Sequence, residues 1–506
     1  MAKICVPICA SRIDEMREMA QRSAGTCDLL ELRLDYLAPD ELLRLGDTLP
    51  ALLRLLACPI ILTLRPKEFG GAREITIEDR IQFQRERFAP GADNVMFDIE
   101  LDLAELFAKQ QSESDWNRTI CSFHDFEKVP ADLDRLFESM SATPARIIKI
   151  AVHANDAVDC LPVLRLLEKA RASGREMIAV AMGQAGVMTR VLGPSRGSSL
   201  TYGSLNEDSA NAPGQVTASD LRGLYRVDEI NQQTEIIGII GKPVAHSLSP
   251  RIHNAAFADR KLNAVYIPLE VTDLKGFMRR MAHPQTRELD WNLTGLSVTA
   301  PHKSAVIAHL DSIDPVAKEI GAVNTIVIRD NQLCGYNTDA AGFLISLRQK
   351  FGSLRGARCA VIGAGGAARA ATSVLRNSQA EITLFARDPG KAAELAQSRN
   401  AEVHDLAAAD FSGFDIVVNT TPLGTRGEHQ SQSPVEATRL RHVRLAYDLV
   451  YNPLETRFLS AAREAGCETI SGVEMLLAQA VEQFKLWTGA EPNERIMRET
   501  VMRALQ

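Results

Sequence analysis

The first ~225 residues carry eight short apolar runs separated by amphipathic, charge-flanked stretches, and this rhythm constrains the chain more than any other feature. The runs are Ile4–Ala10, Asp28–Leu37, Cys58–Pro66, Asn94–Leu101, Arg118–Phe126, Ala145–Ala154, Met177–Gly183 and Leu200–Leu205. Eight strand–helix units, roughly 25 to 35 residues apart, are what a closed (β/α)8 barrel requires; an open doubly wound sheet with the same count is the alternative. The side chains favour the barrel. Glu31, Arg33 and Asp35 fall late in the second run, Arg65 in the third, His124 and Asp125 in the fifth, and Lys149 in the sixth. In a barrel the C-terminal strand ends converge on one face, so these groups would share one site. Lys149 is the sharpest of them, because it interrupts Ile147, Ile148, Ile150, Ala151 and Val152 where a strand buried on both faces should be apolar throughout. It is either ion-paired with a structural partner or held as an amine that attacks a carbonyl.

After Leu224 the pattern changes. Val227–Thr234 reads as a polar linker and Glu235–Gly241 as the strand that opens a second unit. Alternating strand-like and helical segments follow from Ala264 to Asn337, and a helix near Phe343–Gly356 leads into the strand Arg358–Ile362. That strand ends in Gly363-Ala364-Gly365-Gly366-Ala367, a G-x-G-G-A form of the dinucleotide-binding loop. There, glycines let the backbone approach a pyrophosphate and a helix N-terminus supplies N–H donors. The next strand, Glu381–Ala386, ends in Arg387, Asp388 and Lys391. The cations suit the 2′-phosphate of NADP and the acid suits the ribose hydroxyls of NAD, so charge counting leaves the cofactor open. Upstream, His246-Ser247-Leu-Ser249 places two hydroxyls where they could donate to a carboxylate or polyol, although a helix cap would explain one of them. Lys303 and Asp339 could form a proton-transfer pair, with surface residues as the plain alternative.

The 506 residues suggest about three domains. A net charge of −7 and 5% aromatic content argue against a nucleic-acid groove, which needs clustered cations and exposed rings. No apolar run approaches the ~18 residues of a membrane span, and Met1–Arg12 reads as a strand rather than a leader, so a cytoplasmic protein is expected. The nine scattered cysteines include no Cys-x-x-Cys pair, which points to reduced thiols and to no metal site.

These motifs together resemble two known families. The first part resembles type I 3-dehydroquinate dehydratase through Glu31-Leu-Arg33-Leu-Asp35, Thr63-Leu-Arg65, Ser122-Phe-His124, Lys149-Ile-Ala, Thr189-Arg190 and Ala212-Pro-Gly-Gln215. From about residue 235 the chain resembles shikimate dehydrogenase. This second likeness rests on Ser247-Leu-Ser249-Pro250, Pro301-His-Lys303, Gly321-Ala-Val-Asn324-Thr325, Asn337-Thr-Asp339, the glycine loop, Asn419-Thr-Thr-Pro, Asp448-Leu449-Val-Tyr451-Asn-Pro453 and Met475-Leu-Leu-Ala-Gln479. The fused order is similar to the plant-type bifunctional enzyme of the shikimate pathway.

The resemblance implies an α/β architecture: a TIM barrel over 1–226, a substrate lobe over 235–340 completed by helices in 473–506, and a Rossmann lobe over 341–472. It implies a Schiff base on Lys149 with 3-dehydroquinate and His124 as acid–base. Arg190 would hold the carboxylate, and Glu31, Arg33, Arg65 and Gln215 the remaining contacts, with Phe126, Met182 and Tyr202 lining the pocket. In the second part it implies reduction of 3-dehydroshikimate to shikimate, with Lys303 and Asp339 catalytic. Ser247, Ser249, Thr299, Asn324, Tyr451 and Gln479 would bind substrate. Gly363 to Ala367, Ala386, Arg387, Asp388, Lys391, Leu449 and Gly472 would hold NADP, with NAD as the alternative. Three departures stand out: Glu68 lies one position early before Gly70-Gly71, Asn211 replaces the usual serine, and Ala386-Arg387-Asp388 replaces Asn-Arg-Thr. Rival readings are a class I aldolase, a quinate dehydrogenase using NAD, and an inactive metabolite sensor. Oligomeric state and the orientation of the two halves are not readable from sequence.

Overall fold

Each of the eight apolar runs contains one strand: β1 (Ile4–Ile8), β2 (Leu29–Arg33), β3 (Ile60–Thr63), β4 (Val95–Glu100), β5 (Thr119–His124), β6 (Ile147–His153), β7 (Met177–Met182) and β8 (Thr201–Tyr202). The structure is a computed structural model describing residues 2–23, 25–85, 94–110, 115–206, 214–399 and 401–506. The eight strands form one parallel sheet in the order β7 to β1 and then β8, and a Met177–Ser198 bridge closes the last seam. That closure decides against the open sheet. The eighth run shrinks to two residues because the chain turns away after pairing with Ile4 and Cys5, and Ser204 then bridges Thr217.

The period of two along a strand builds the site. Cys5, Leu29, Ile61, Ile120, Ile147 and Ile178 form an apolar plug with Leu200 and Tyr202. Two residues further along the same strands stand Glu31, Thr63, Ser122 and Lys149, and two further again Arg33, Arg65 and His124. Ser122 lies directly opposite Lys149 in the β5–β6 register. Polar layers are therefore stacked on an apolar plug at the C-terminal mouth.

A second sheet holds β9 (Glu235–Gly241), β10 (Ala264–Glu270), β11 (Leu293–Val298), β12 (Ser312–Ile313), β13 (Thr325–Arg329) and β14 (Gln332–Tyr336), in the order β10-β9-β11-β13-β14-β12. It is mixed, with β13 antiparallel to both its neighbours. The third sheet is wholly parallel: β15 (Arg358–Ile362), β16 (Glu381–Ala386), β17 (Glu402–Asp405), β18 (Ile416–Asn419), β19 (Leu445–Asp448) and β20 (Glu468–Ile470), in the order β17-β16-β15-β18-β19-β20. This is the doubly wound dinucleotide order, with its crevice where β15 and β18 lead in opposite directions.

The chain crosses to the third sheet by the helix Thr338–Phe351 and returns by the helix Gly472–Thr488. The two touch closely: a Cβ on Gly342 would stand 2.8 Å from the backbone nitrogen of Gln479, so only glycine fits there. Behind the cleft, Glu319 accepts from Ser373 at 2.5 Å and from Arg376 at 2.7 Å, tying the two lobes together.

One continuous apolar cluster runs from barrel residues such as Ile4 and Leu192 into Ile236, Val265 and Ile326 of the second sheet. Polar contacts then set the orientation. Arg165 donates to the Glu288 carbonyl at 2.9 Å and pairs with its carboxylate at 3.0 Å. The Asp156 carboxylate accepts the backbone N–H of Thr272 at 2.6 Å and of Asp273 at 2.9 Å. Asp156→Ala removes these acceptors and the Asp156 cap of its own turn. It is expected to lower stability by about 1–2 kcal/mol in urea unfolding.

Candidate active sites

Lys149 is 4% exposed, and its ammonium lies 2.9 Å from Asp98 Oδ2 and 3.4 Å from Glu31 Oε1. Thr63 donates to the same Glu31 oxygen at 2.7 Å, and the Tyr202 ring lies 4.6 Å below the lysine nitrogen. Arg65 spans the layer above, at 2.9 Å from Asp98, 3.3 Å from Glu100 and 2.6 Å from His124 Nε2. A guanidinium only donates, so Nε2 accepts and the ring proton sits on Nδ1, which meets no partner among the described residues. Arg33 is held bidentately by Asp35 at 2.8 and 2.9 Å, and Asp35 also accepts from Ala72, anchoring the loop after β3.

Arg190 differs from the other cations. It is 2% exposed, and among the described residues its guanidinium makes one long hydrogen bond, to the Tyr202 carbonyl, and meets no carboxylate. Burial pulls its guanidinium down to about 10, so it stays charged at neutral pH. Glu31, Arg33, Arg65, His124, Lys149, Arg190 and Gln215 converge on one cavity of about 90 Å³, where Phe126, Met182 and Tyr202 supply the apolar wall. The cavity therefore offers an amine, an imidazole and an unpaired cation to one small anion.

Burial is also the main influence on the pKa values. It pushes the Asp98 carboxyl up, yet Lys149 and Arg65 outweigh it and hold the group below the usual carboxylate range. Burial raises Glu100 in spite of Arg65. Burial, and then the like charges of Arg65 and Lys149, drive His124 well below an ordinary histidine, which keeps it neutral.

In the second half, Lys303 Nζ lies 2.6 Å from Asp339 Oδ2, and Asn324 donates to Asp339 Oδ1 at 2.8 Å. Asp339 is in the first turn of the helix leaving the second sheet, so the fold brings together two residues far apart in sequence. Ser247 and Tyr451 line a cleft of about 1410 Å³, with Ala367, Thr420, Thr421 and Leu449 on its opposite wall. Ser247 Oγ accepts the Ser249 N–H at 3.3 Å, so it is also a local cap, while Ser249 is buried. Thr299 follows β11. Gln479 is buried on the returning helix and donates to the Leu476 carbonyl at 2.9 Å. A cavity of about 190 Å³ between the halves is lined by Gln215, Ser247 and the Asp220–Arg251 ion pair.

The glycine loop fits a dinucleotide. Gly363 has φ +117°, and its added Cβ would meet Thr420 Oγ1 at 2.5 Å; Gly365 and Gly366 face open space at the start of the helix Gly366–Asn377. A phosphate can approach those amides as a side chain could not. Ala364 lies in the same loop and Ala367 in the first turn of that helix; Ala386 ends β16, and Arg387 and Asp388 follow it on the surface. The side chain of Lys391 lies outside the described residues, as do Asn211 and Ala212. Gly472 heads the returning helix against the Leu449 carbonyl. No group of His, Cys, Asp or Glu among the described residues could hold a metal ion.

Sequence reading missed Asp98, Glu100 and Ser122. The signal was present, because Asp98 and Glu100 end their apolar run at the same spacing of two as Glu31 and Arg33. It also gave no role to the partners that orient Asn324: Thr325 and Thr338 lie inside quoted motifs, while no local pattern marks Gln483.

Residues 4–232 match the model of the type I 3-dehydroquinase family. Residues 239–326 match the shikimate dehydrogenase substrate binding domain, 346–428 the shikimate / quinate 5-dehydrogenase family and 472–502 the shikimate 5′-dehydrogenase C-terminal domain. The chloroplastic bifunctional 3-dehydroquinate dehydratase/shikimate dehydrogenase of Arabidopsis thaliana is 34% identical over 511 residues, covering 96% of this chain and 82% of that protein. A shikimate dehydrogenase (NADP(+)) of Carboxydothermus hydrogenoformans is 40% identical over 288 residues, covering 54% of this chain and 98% of that one. A crystal structure of a shikimate dehydrogenase in complex with NADP+ covers 55% of this chain and 98% of its own, with 37% identity and a TM-score of 0.51.

His124 supplies a test of the barrel's electrostatics. The unfolded chain takes up a proton near the ordinary histidine pKa of about 6.5 and the folded barrel does not, so His124 makes stability fall as pH drops below that value. NMR of the ring is expected to show titration well below it, and His124→Gln to flatten that part of the stability profile.

Proposed function

The chain belongs to the bifunctional 3-dehydroquinate dehydratase/shikimate dehydrogenase family, and from that premise we propose how its residues divide the work. It has 3-dehydroquinate dehydratase and NADP-dependent shikimate dehydrogenase activities, two steps of the shikimate pathway. We assign the first to residues 1–226 and the second to 235–506, with 341–472 as the nucleotide lobe.

In the barrel, Lys149 Nζ attacks the C3 ketone of 3-dehydroquinate, and loss of water leaves a protonated imine whose charge Asp98 and Glu31 balance. The imine draws electrons from the adjacent C2–H bond, and His124 takes that proton. Its lone pair is on Nε2, so Arg65 must turn from His124 toward the substrate for this to happen. The enamine then expels the C1 hydroxyl, which leaves as water with the proton that His124 returns. A second water hydrolyses the imine, releasing 3-dehydroshikimate and free Lys149, so the net change is loss of one water. Arg190 pairs with the ring carboxylate, which supplies the anion its buried guanidinium lacks. Glu31 and Gln215 hold ring hydroxyls, and Arg33 braces the mouth through Asp35.

In the second half, NADPH supplies a hydride to the C3 ketone of 3-dehydroshikimate. Lys303 gives the nascent alkoxide its proton, and Asp339 holds the ammonium in place. Ser247 and Ser249 donate to the carboxylate, while Thr299, Asn324, Tyr451 and Gln479 engage ring hydroxyls. The amides from Gly363 to Ala367 would hold the pyrophosphate of the nucleotide and Arg387 its 2′-phosphate, while Leu449 and Gly472 would bound the nicotinamide site. Nine free thiols, five of them buried, fit a reducing compartment, and we place the protein in the cytoplasm, although the Arabidopsis relative is chloroplastic.

The observation that carries the dehydratase assignment is Lys149 sharing its cavity with a neutral His124 and with Arg190, which meets no carboxylate among the described residues. Borohydride added with 3-dehydroquinate is expected to trap a covalent adduct on Lys149, seen by mass spectrometry, and Lys149→Ala to abolish both adduct and turnover. Absence of the adduct from the unmutated chain would remove the mechanism.

Gln215 lines both the barrel cavity and the junction cavity, and Ser247 lines both the junction cavity and the large cleft. These shared linings support direct hand-over of 3-dehydroshikimate. A coupled assay is then expected to show a transient time shorter than two independent enzymes give, and full equilibration of the intermediate with bulk would exclude it.

A further inference from the structure

A buried chain of hydrogen bonds crosses the substrate lobe from its serine end to Lys303. Tyr266, whose hydroxyl also reaches Ser249, donates to Ser297 Oγ at 2.6 Å. Ser297 donates to Gln483 Oε1 at 3.2 Å. Gln483 Nε2 donates to Thr325 Oγ1 at 3.0 Å and to the Asn324 carbonyl at 3.3 Å. Thr325 donates to Asn324 Oδ1 at 2.9 Å, and Asn324 Nδ2 meets Asp339, which holds Lys303.

Two backbone groups dictate the direction of every link. The Thr338 N–H can only donate, and it points at Asn324 Oδ1 at 2.7 Å, so Nδ2 must face Asp339. The Asn324 carbonyl can only accept, so the Gln483 amide must turn Nε2 toward β13 and Oε1 toward Ser297. Thr325 then accepts from Gln483, and its one proton goes to Asn324 Oδ1 at 2.9 Å, nearer than Thr338 Oγ1 at 3.2 Å. With Oδ1 filled by Thr338 and Thr325, the Asn324 amide has no second orientation: reversed, it would set an acceptor against the Asp339 carboxylate and leave buried donors unmatched.

We propose that Gln483 and Thr325 are positioning residues of the dehydrogenase, which set the Asn324 amide and through it hold Asp339 and Lys303 in register for proton transfer. This rests on the reading of Lys303 and Asp339 as the proton-transfer pair. Gln483 is 2% exposed and Thr325 fully buried, so both act through Asn324 rather than on substrate. Gln483 belongs to the helix that starts at Gly472 beside the nicotinamide wall, so one rigid element carries the cofactor end of the site and the brace of the proton donor.

The test compares Gln483→Leu, Thr325→Val and Thr325→Ser with Lys303→Ala in the full chain, measuring dehydrogenase kcat, KM for shikimate and, as an internal check of folding, dehydratase kcat. Gln483→Leu and Thr325→Val are expected to lower dehydrogenase kcat about tenfold while KM moves less than about threefold. Thr325→Ser, which keeps the hydroxyl, is expected to restore kcat, and dehydratase turnover to stay unchanged throughout. The proposal is overturned by an unchanged kcat, by a loss confined to KM, by failure of the serine to rescue, or by dehydratase activity falling in step. If Lys303→Ala keeps its activity, the proton-transfer reading fails and this proposal with it. If Lys303→Ala is dead while Gln483→Leu and Thr325→Val run normally, the positioning proposal alone fails.

Discussion

Lys149 stands in the polar layer directly above an isoleucine-rich plug, and its ammonium persists there because Asp98 and Glu31 come from two other strands to meet it. Removing one partner of a buried pair costs about 3–5 kcal/mol, since the remaining charge is stranded without water. The pairing therefore commits β2, β4 and β6 to one register and one distance. Arg65 extends the same logic by joining Asp98 to Glu100 and His124. Of the cations lining the cavity, Arg190 alone meets no carboxylate among the described residues.

The dehydrogenase half solves a related problem with neutral groups. Its Lys303–Asp339 ion pair is part-buried rather than sealed, and what surrounds it is a directed run of hydroxyls and amides anchored on two backbone groups. A network satisfied in only one arrangement gives a rigid site without a net buried charge. The two helices that link the lobes both contribute to it: Asp339 in the first turn of one, Gln483 on the other.

The two enzymes are one body rather than beads on a linker. The stretch read from sequence as a polar linker contributes Val227, which is 2% exposed, to an apolar cluster shared by barrel and substrate lobe. Polar contacts at Asp156, Arg165 and Asp220 then choose one orientation, and that orientation sets Gln215 and Ser247 on the same cavity.

Strand rhythm and the late polar residues were enough to indicate the barrel, and a glycine loop between a strand and a helix was enough to indicate the nucleotide lobe. Both are local patterns, written in residues a few positions apart, because strand alternation and helix starts are local physics. Lys149 and His124 were visible for the same reason, since each interrupts an apolar run, whereas Lys303 and Asp339 stood out from surface residues only through the family resemblance. Asp98 was legible and passed over. Tertiary structure alone decided that Arg190 has no acid beside it among the described residues, that Gln483 turns its amide toward β13, and which faces of the two halves meet. Those facts depend on atoms brought together from more than a hundred residues away, where distance and the direction of a donor, rather than residue type, determine what a side chain can do.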